Sequence, residues 1–246
     1  MATEIEQYRI NGSAQVSELS TFEWSAFISA CVIQVDGPGE ASLPLTFIDP
    51  IQRRRLSALA KVSLGVMNEC AKGVQDYQVV YASRHGELAR TTDLLNQLAV
   101  GDDVSPMGFS LAVLNGTAGV FSIAAANHAP CSAVSSGTQT FQMGLLEASV
   151  QAMQSGAPVL FVYADAPIPE VYGAKETRNT GPLHALALLL HGSSAPGRTQ
   201  LRCWSEECAG HRHAEPSPSL AFAQSWLEKS PGKWADDNQL FSWSFQ

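Results

Sequence analysis

Several short stretches hold side chains able to do chemistry. At 136–143, SGTQTFQM, a turn of small residues runs straight into a helical pattern, with Gln139 at the junction. A helix N-terminus presents unpaired N–H groups and a partial positive charge. A thiol placed there has a lowered pKa and becomes a nucleophile. A glutamine amide has no proton to lose near neutral pH and attacks poorly. Gln139 therefore keeps the form of a nucleophile mount without its reaction, and its carbonyl is expected to accept from the helix N–H groups. Cys131, in PCSAV just upstream, reads as a small buried hydrophobe with a raised pKa rather than as a displaced nucleophile. In CWSEECAGHRH, Cys203, Cys208, His211 and His213 have the ligand types of a tetrahedral zinc site. Their final H-x-H spacing departs from the usual one, so a reduced polar hairpin is expected and the four stand as weak metal candidates. His191, in LLLHGS, reads as a strand-end histidine. Arg53–Arg55 read as a basic triplet near a helix start, the unfavourable end for cations, to be matched by a carboxylate or an acidic partner. NGTAG lacks the lysine and the preceding strand of a phosphate loop, so Gly116 and Gly119 are read as close-packing residues.

The elements that would position these groups alternate between strand and helix. FEWSAFISACVIQV (22–35) mixes aromatic and β-branched residues and reads as a strand or strand pair. A Gly/Pro loop follows, then one helical stretch from about Phe47 to Gly73, with Leu56, Leu59, Ala60, Leu64 and Met67 near a 3.6-residue period. QVVYAS (78–83) reads as a buried strand and GELARTTDLLNQLAVG as a helix. FSLAVLNGTAGVFSIAAA reads as a further helix after the SPMG turn, and 128–136 as a short strand. The glutamine helix runs to about Ser155. APVLFVYADA (157–166) and PLHALALLLHGS (182–193) are apolar strands. Such alternation implies an α/β layer fold with helices on both faces of the sheet. The chain reads as a single domain, 1–246. Residues 193–219, rich in Ser, Pro, Gly and His, are expected to form a loop or hairpin extension, and 220–246 a C-terminal helix and strand.

Composition narrows the function classes. The 246 residues are 45% hydrophobic and only 15% charged, enough for one substantial core and consistent with surface covered by a partner. A net charge of −8 argues against nucleic acid. MATEIEQYRI has no apolar core of signal length, and Leu183–Leu190 is too short to span a bilayer. A cytoplasmic location is expected, and there the five cysteines would be reduced.

The order short strand, tight turn, then GLLEASVQAMQSGAPVLFVYADA resembles the N-terminal half of a β-ketoacyl synthase, and SPMGFSLAVLNGTAGVFSIA (105–124) is similar to the family's preceding helix. The resemblance covers most of 20–195. It implies a thiolase-like fold with a mixed five-stranded sheet covered by helices on both faces. Counting back from Gly156 puts the family's nucleophilic cysteine at Gln139, not Cys131. Glutamine there is similar to the ketosynthase-like chain length factors of type II polyketide systems, and the short chain to the N-terminal-half-only type of aryl polyene clusters.

The resemblance further implies a subunit with no catalytic residue and no cofactor. His191 lacks the Thr-Gly-Thr context of the family's catalytic histidines. The partner would be a catalytic ketosynthase bound as a heterodimer, with acyl carrier protein reaching the pair mainly through that partner. Residues 130–136 (Pro130, Cys131, Ser132, Ala133, Val134, Ser135 and Ser136) would form the dimer interface by strand pairing. Met107, Gly108 and Phe109 would shape the acyl channel and limit chain length. Two rival readings stand beside this one: a decarboxylase acting on malonyl carrier during priming, and a homodimeric scaffold with no acyl-chain role.

Overall fold

The computed structural model describes residues 22–37, 42–173, 181–207, 217–236 and 239–246. A long strand, β1 (Phe22–Val35), is followed by two helices, α1 (Pro50–Arg55) and α2 (Ala58–Cys70). The single helix expected here is divided because Ser57 caps α2, its hydroxyl accepting from the Ala60 N–H at 2.9 Å. The division corrects the reading of the arginine triplet. Arg53, Arg54 and Arg55 form the last turn of α1, where the helix dipole favours cations. The first turn is capped by Asp49, which accepts from Ile51 and Gln52.

Strand β2 (Gln78–Ala82) leads to α3 (Leu88–Ala99). The next helical stretch is also divided, into α4 (Pro106–Ser110) and α5 (Gly116–Ala124). Gly116 sits 3.4–3.6 Å from the α4 backbone, measured from where a Cβ would stand. Gly119 does not pack as expected, because it faces open space on the outer side of α5. Then follow β3 (Cys131–Val134), a 3₁₀ turn over Gly137–Gln139, α6 (Thr140–Ser155), β4 (Val159–Asp165) and β5 (His184–His191). The C-terminal part comprises β6 (Thr199–Glu207), α7 (Pro218–Glu228), β7 (Gly232–Ala235) and β8 (Gln239–Phe245).

The described strands form one mixed sheet of eight, not five, in the order β3-β2-β4-β5-β1-β6-β8-β7. β3, β2 and β4 run parallel, and the remaining neighbours are antiparallel. The three strands beyond β1 explain the larger count. β6 falls within the 193–219 stretch expected as a loop or hairpin, and β7 within 220–246, where one strand was expected.

Each central strand feeds two cores. Leu160, Val162 and Ala164 of β4 face α2 and α5, whereas Val159, Phe161 and Tyr163 face α6 and α7. This period-2 division makes continuous apolar strands necessary. Helix α6 lies so close to the sheet that a Cβ on Gly144 would stand 2.7 Å from the Ala82 Cβ and 2.9 Å from the Phe161 ring. The helix ends at Gly156, whose φ of 68° is the left-handed cap that glycine adopts without strain. No helix among the described residues is long and apolar enough to cross a membrane.

Candidate functional site

The junction between β3 and α6 is a hydrogen-bonded elbow. Gly137 has φ +56°, which turns the chain sharply out of the strand. The Thr140 hydroxyl donates to the Gly137 carbonyl at 2.7 Å and accepts from the Ser136 N–H at 2.8 Å. The Gln139 N–H donates to the Ser136 carbonyl at 3.1 Å. Thr138 donates to the Asp236 carboxylate at 2.9 Å, which ties the elbow to the β7–β8 connection. Gln139 is thus held at the first turn of a 16-residue helix, half-buried. Its side chain makes no capping hydrogen bond, contrary to the expectation that its carbonyl would accept from the helix.

Beneath the elbow lies a buried polar cluster that sequence reasoning missed. Phe141, two residues after Gln139, packs edge-on against Tyr163 at 5.4 Å between ring centroids. The Tyr163 hydroxyl donates to the Asp165 carboxylate at 2.5 Å. The other Asp165 oxygen accepts from the Ser83 hydroxyl at 3.1 Å and from the Arg84 and His85 N–H groups at 3.2 and 3.4 Å. Asp165 is fully buried, and desolvation raises its pKa to about 6 against these donors. His184 is its register partner across β5. The imidazole contacts the Pro182 carbonyl through Nδ1 and the Ser219 hydroxyl through Nε2, each at 2.7 Å. Burial lowers the pKa of His184 and favours the neutral ring. Both nitrogens are engaged inside the core, so this histidine has no free edge with which to polarise a substrate.

His191 stands at the other end of the sheet. Leu190 pairs with Val159 at the start of β4, while the elbow lies over its end. A seven-residue strand spans about 20 Å. A β-bulge at Ser29 instead brings that hydroxyl within 2.8 Å of His191 Nε2, a strand-end contact as expected.

Cys131 corrects one expectation. It is an exposed residue of the edge strand β3, not a buried one, although partial desolvation still raises its pKa. Pairing shows which groups are free there. Val79 donates to the Pro130 carbonyl and Ser83 to the Val134 carbonyl, so the even-numbered residues of β3 face β2. Cys131 and Ala133 then aim their backbone N–H and C=O groups away from the sheet. Pro130, Ser135 and Ser136 are exposed beside them.

Met107, Gly108 and Phe109 lie on α4, with Met107 48% and Phe109 64% exposed. Met107 and Phe109 join Leu95, Leu98, Val100, Val113 and Ile123 as large apolar side chains left uncovered between β2 and β3, with Gly108 half-buried between them. They do not line the cavity of about 420 Å³ that opens between the starts of α2 and α3. Its walls are Ser57–Leu59, His85–Arg90, Asp93, Ala166–Ile168 and Leu183. Glu87 is buried in that wall, accepting from Ser57 at 2.7 Å and paired with Arg90 at 3.6 Å.

Of the four metal candidates, only Cys203 lies among the described residues. Cys203 is fully buried in β6 between Trp24 and Trp243, and desolvation raises its pKa well above the ordinary value. Cys208, His211 and His213 lie outside the described residues. Among the described residues no three ligand side chains cluster for a metal, and Cys31, Cys70, Cys131 and Cys203 are free thiols.

Comparison with known proteins bears on this arrangement. The family described as "Beta-ketoacyl synthase, N-terminal domain" matches residues 26–244. A chain of the complex of the ketosynthase ApeO with its chain length factor ApeC, from Xenorhabdus doucetiae, superposes with a TM-score of 0.74 at 25% identity, over 92% of this chain and 98% of that one. The ishigamide ketosynthase/chain length factor matches with a TM-score of 0.50 at 19% identity, over 63% of this chain and 49% of that one. A β-ketoacyl synthase from Burkholderia phymatum STM815 gives 0.50 at 13%, over 77% and 57%. The last two show the fold alone. No curated protein matches. The sheet and its two helical layers therefore form a thiolase-like fold of ketosynthase type.

Proposed function

The chain belongs to the β-ketoacyl synthase family through its N-terminal domain, and from that membership we propose that it is a chain length factor. It makes no carbon–carbon bond itself. It binds a catalytic ketosynthase as a heterodimer in a type II polyketide pathway of the aryl polyene kind and shapes the channel that receives the growing acyl chain. One observation carries the reading: Gln139 occupies the elbow at the start of α6, where condensing chemistry needs a thiolate. An amide there cannot form an acyl-enzyme bond. The similarity to a chain of a ketosynthase and chain length factor complex, over nearly the full length of both, supports the same role.

The outward-facing backbone of Cys131 and Ala133 offers an edge for the partner's strand, and the uncovered apolar side chains of α3–α5 supply area to bury beside it. Met107, Gly108 and Phe109 carry the channel-shaping role from that face. Acyl carrier protein docks mainly on the partner. Arg54 and Arg55, exposed at the end of α1, give this chain its own contact for an acidic surface.

Co-expression with a catalytic ketosynthase of an aryl polyene-type system from the same source tests the reading. The two chains should elute together as a 1:1 complex whose turnover requires both. A stable homodimer that ignores that ketosynthase would identify a scaffold instead, and carbon dioxide released from malonyl carrier by the chain alone would identify a decarboxylase.

A further inference from the structure

One long stretch of this chain has no cationic side chain. From Thr91 to Gly173 there is no lysine or arginine, and all 15 lie outside it, whereas Asp93, Asp102, Asp103, Glu147, Asp165 and Glu170 fall within it. His128, just before β3, is its one imidazole. The stretch builds most of α3, all of α4, α5 and α6, and the edge strand β3. It therefore supplies both the free edge and the uncovered apolar side chains beside it. Asp102 and Asp103 are exposed in the connection between α3 and α4, between Val100 and Met107 of that apolar face. Glu147 is exposed on α6, and its carboxylate accepts from the Gln151 amide at 2.8 Å. The same amide donates to the Ser132 hydroxyl at 2.9 Å, which places Glu147 beside the middle of β3. Among the described residues none of these three carboxylates is in an ion pair. The flanking cations are set back: Arg84 and Arg90 are half-buried, and Arg90 pairs with Glu87.

A rim of one sign around an apolar centre discriminates between partners. A second copy of this chain would pair isologously. Cys131 and Ala133 both aim their backbone groups outward, so an antiparallel self-pair centres on Ser132. The two α6 helices would then lie on the same face of the joined sheet. Glu147 would stand opposite Glu147 across the two-fold axis, a juxtaposition of like charges with no cation between them. A surface that carries lysine or arginine at those places meets the same carboxylates favourably. On the heterodimer reading above, we propose that this face selects its partner by charge: it fits a protein with a basic rim around an apolar centre and rejects a second copy of this chain. The rim acts before contact, so it governs the rate of association more than the lifetime of the complex.

Association of the full chain with the ketosynthase of the co-expression experiment, followed by surface plasmon resonance at pH 8, tests the selection. The association rate should fall about tenfold between 50 and 500 mM sodium chloride. Asp102→Lys combined with Asp103→Lys should lower the rate at 50 mM by about tenfold, and by much less at 500 mM. Glu206→Lys combined with Glu207→Lys changes the net charge equally, but on β6, beyond β1 from the edge. It should leave the rate within about twofold of wild type. The isolated chain should sediment as a monomer at 50 mM. A complex whose association ignores salt, or slows equally in both double variants, overturns the selection and leaves the heterodimer standing. A homodimer of the isolated chain at 50 mM overturns it too. No complex at either salt overturns the heterodimer itself, and the selection with it. Should a double variant fail to fold, the wild-type salt dependence decides alone.

Discussion

Gln139 stands at the start of the helix that carries Gly144 five residues later, and the two do opposite kinds of work. Gln139 is half-buried and its side chain caps nothing. Removing it costs no hydrogen bond to the helix and, under the proposed role, no chemistry. Gln139→Ala should leave the turnover of the ketosynthase complex within about twofold of wild type. Loss of all turnover from an intact complex would mean that the amide takes part in the reaction. Gly144 is a matter of packing alone. An added Cβ would stand 2.7 Å from Ala82 and 2.9 Å from Phe161, both on strands that cannot yield easily. Gly144→Ala should therefore lower stability by about 1–3 kcal/mol in urea denaturation. Phe161→Leu, which frees space at the ring edge, should recover part of that loss in the double variant. The position of Gln139 was legible because a turn and a helix start leave local marks. Asp165, Tyr163 and His184 left none. Each is one polar group within an apolar strand, and its distant partners come from residues 83 and 219, which only the sheet register and α7 bring close.

At the scale of elements, legibility followed burial. Strands β4 and β5 are almost wholly buried, so their apolar runs read as strands directly. β6 alternates buried Leu201, Cys203 and Ser205 with outward Arg202, Trp204 and Glu206, and its polar half masked it within a Ser- and Pro-rich stretch. β7 has four residues, below the length at which alternation is informative. The helix divisions at Leu56–Ser57 and at 111–115 were hidden because apolar residues continue across both. The edge strand β3 carries the most direct test of assembly. Ala133 aims its N–H away from β2, so proline there removes a donor that the chain itself does not use. Ala133→Pro should leave the circular dichroism of the isolated chain unchanged and abolish co-elution with the ketosynthase. Ser132→Pro, which deletes a pairing with β2, should unfold the edge instead. If Ala133→Pro still forms the complex, strand pairing is not the mode of contact.

For the whole molecule, the buried ionisable groups set how stability changes with pH, and two of them oppose each other. Asp165 has its pKa raised from 3.8 to about 6, so the folded chain holds its proton more tightly than the unfolded chain does. Its contribution to stability is fully present below about pH 3.8 and is lost as pH rises through about 6. His184 is shifted the other way, below 6.5. Its contribution is present above pH 6.5 and is lost as pH falls through the lowered value. A wild-type curve between pH 4.5 and 7.5 mixes the two, and a flat result would say nothing about either. Asp165→Asn separates them, since it fixes the neutral state at one site and leaves the histidine alone. Its stability relative to wild type should be more favourable at pH 7.5 than at pH 4.5 by about 2 kcal/mol, read from urea denaturation at the two values. An equal difference at both would mean that the carboxylate is hydrated in the folded chain. Its bonds to Ser83, Arg84 and His85 would then be ordinary surface contacts.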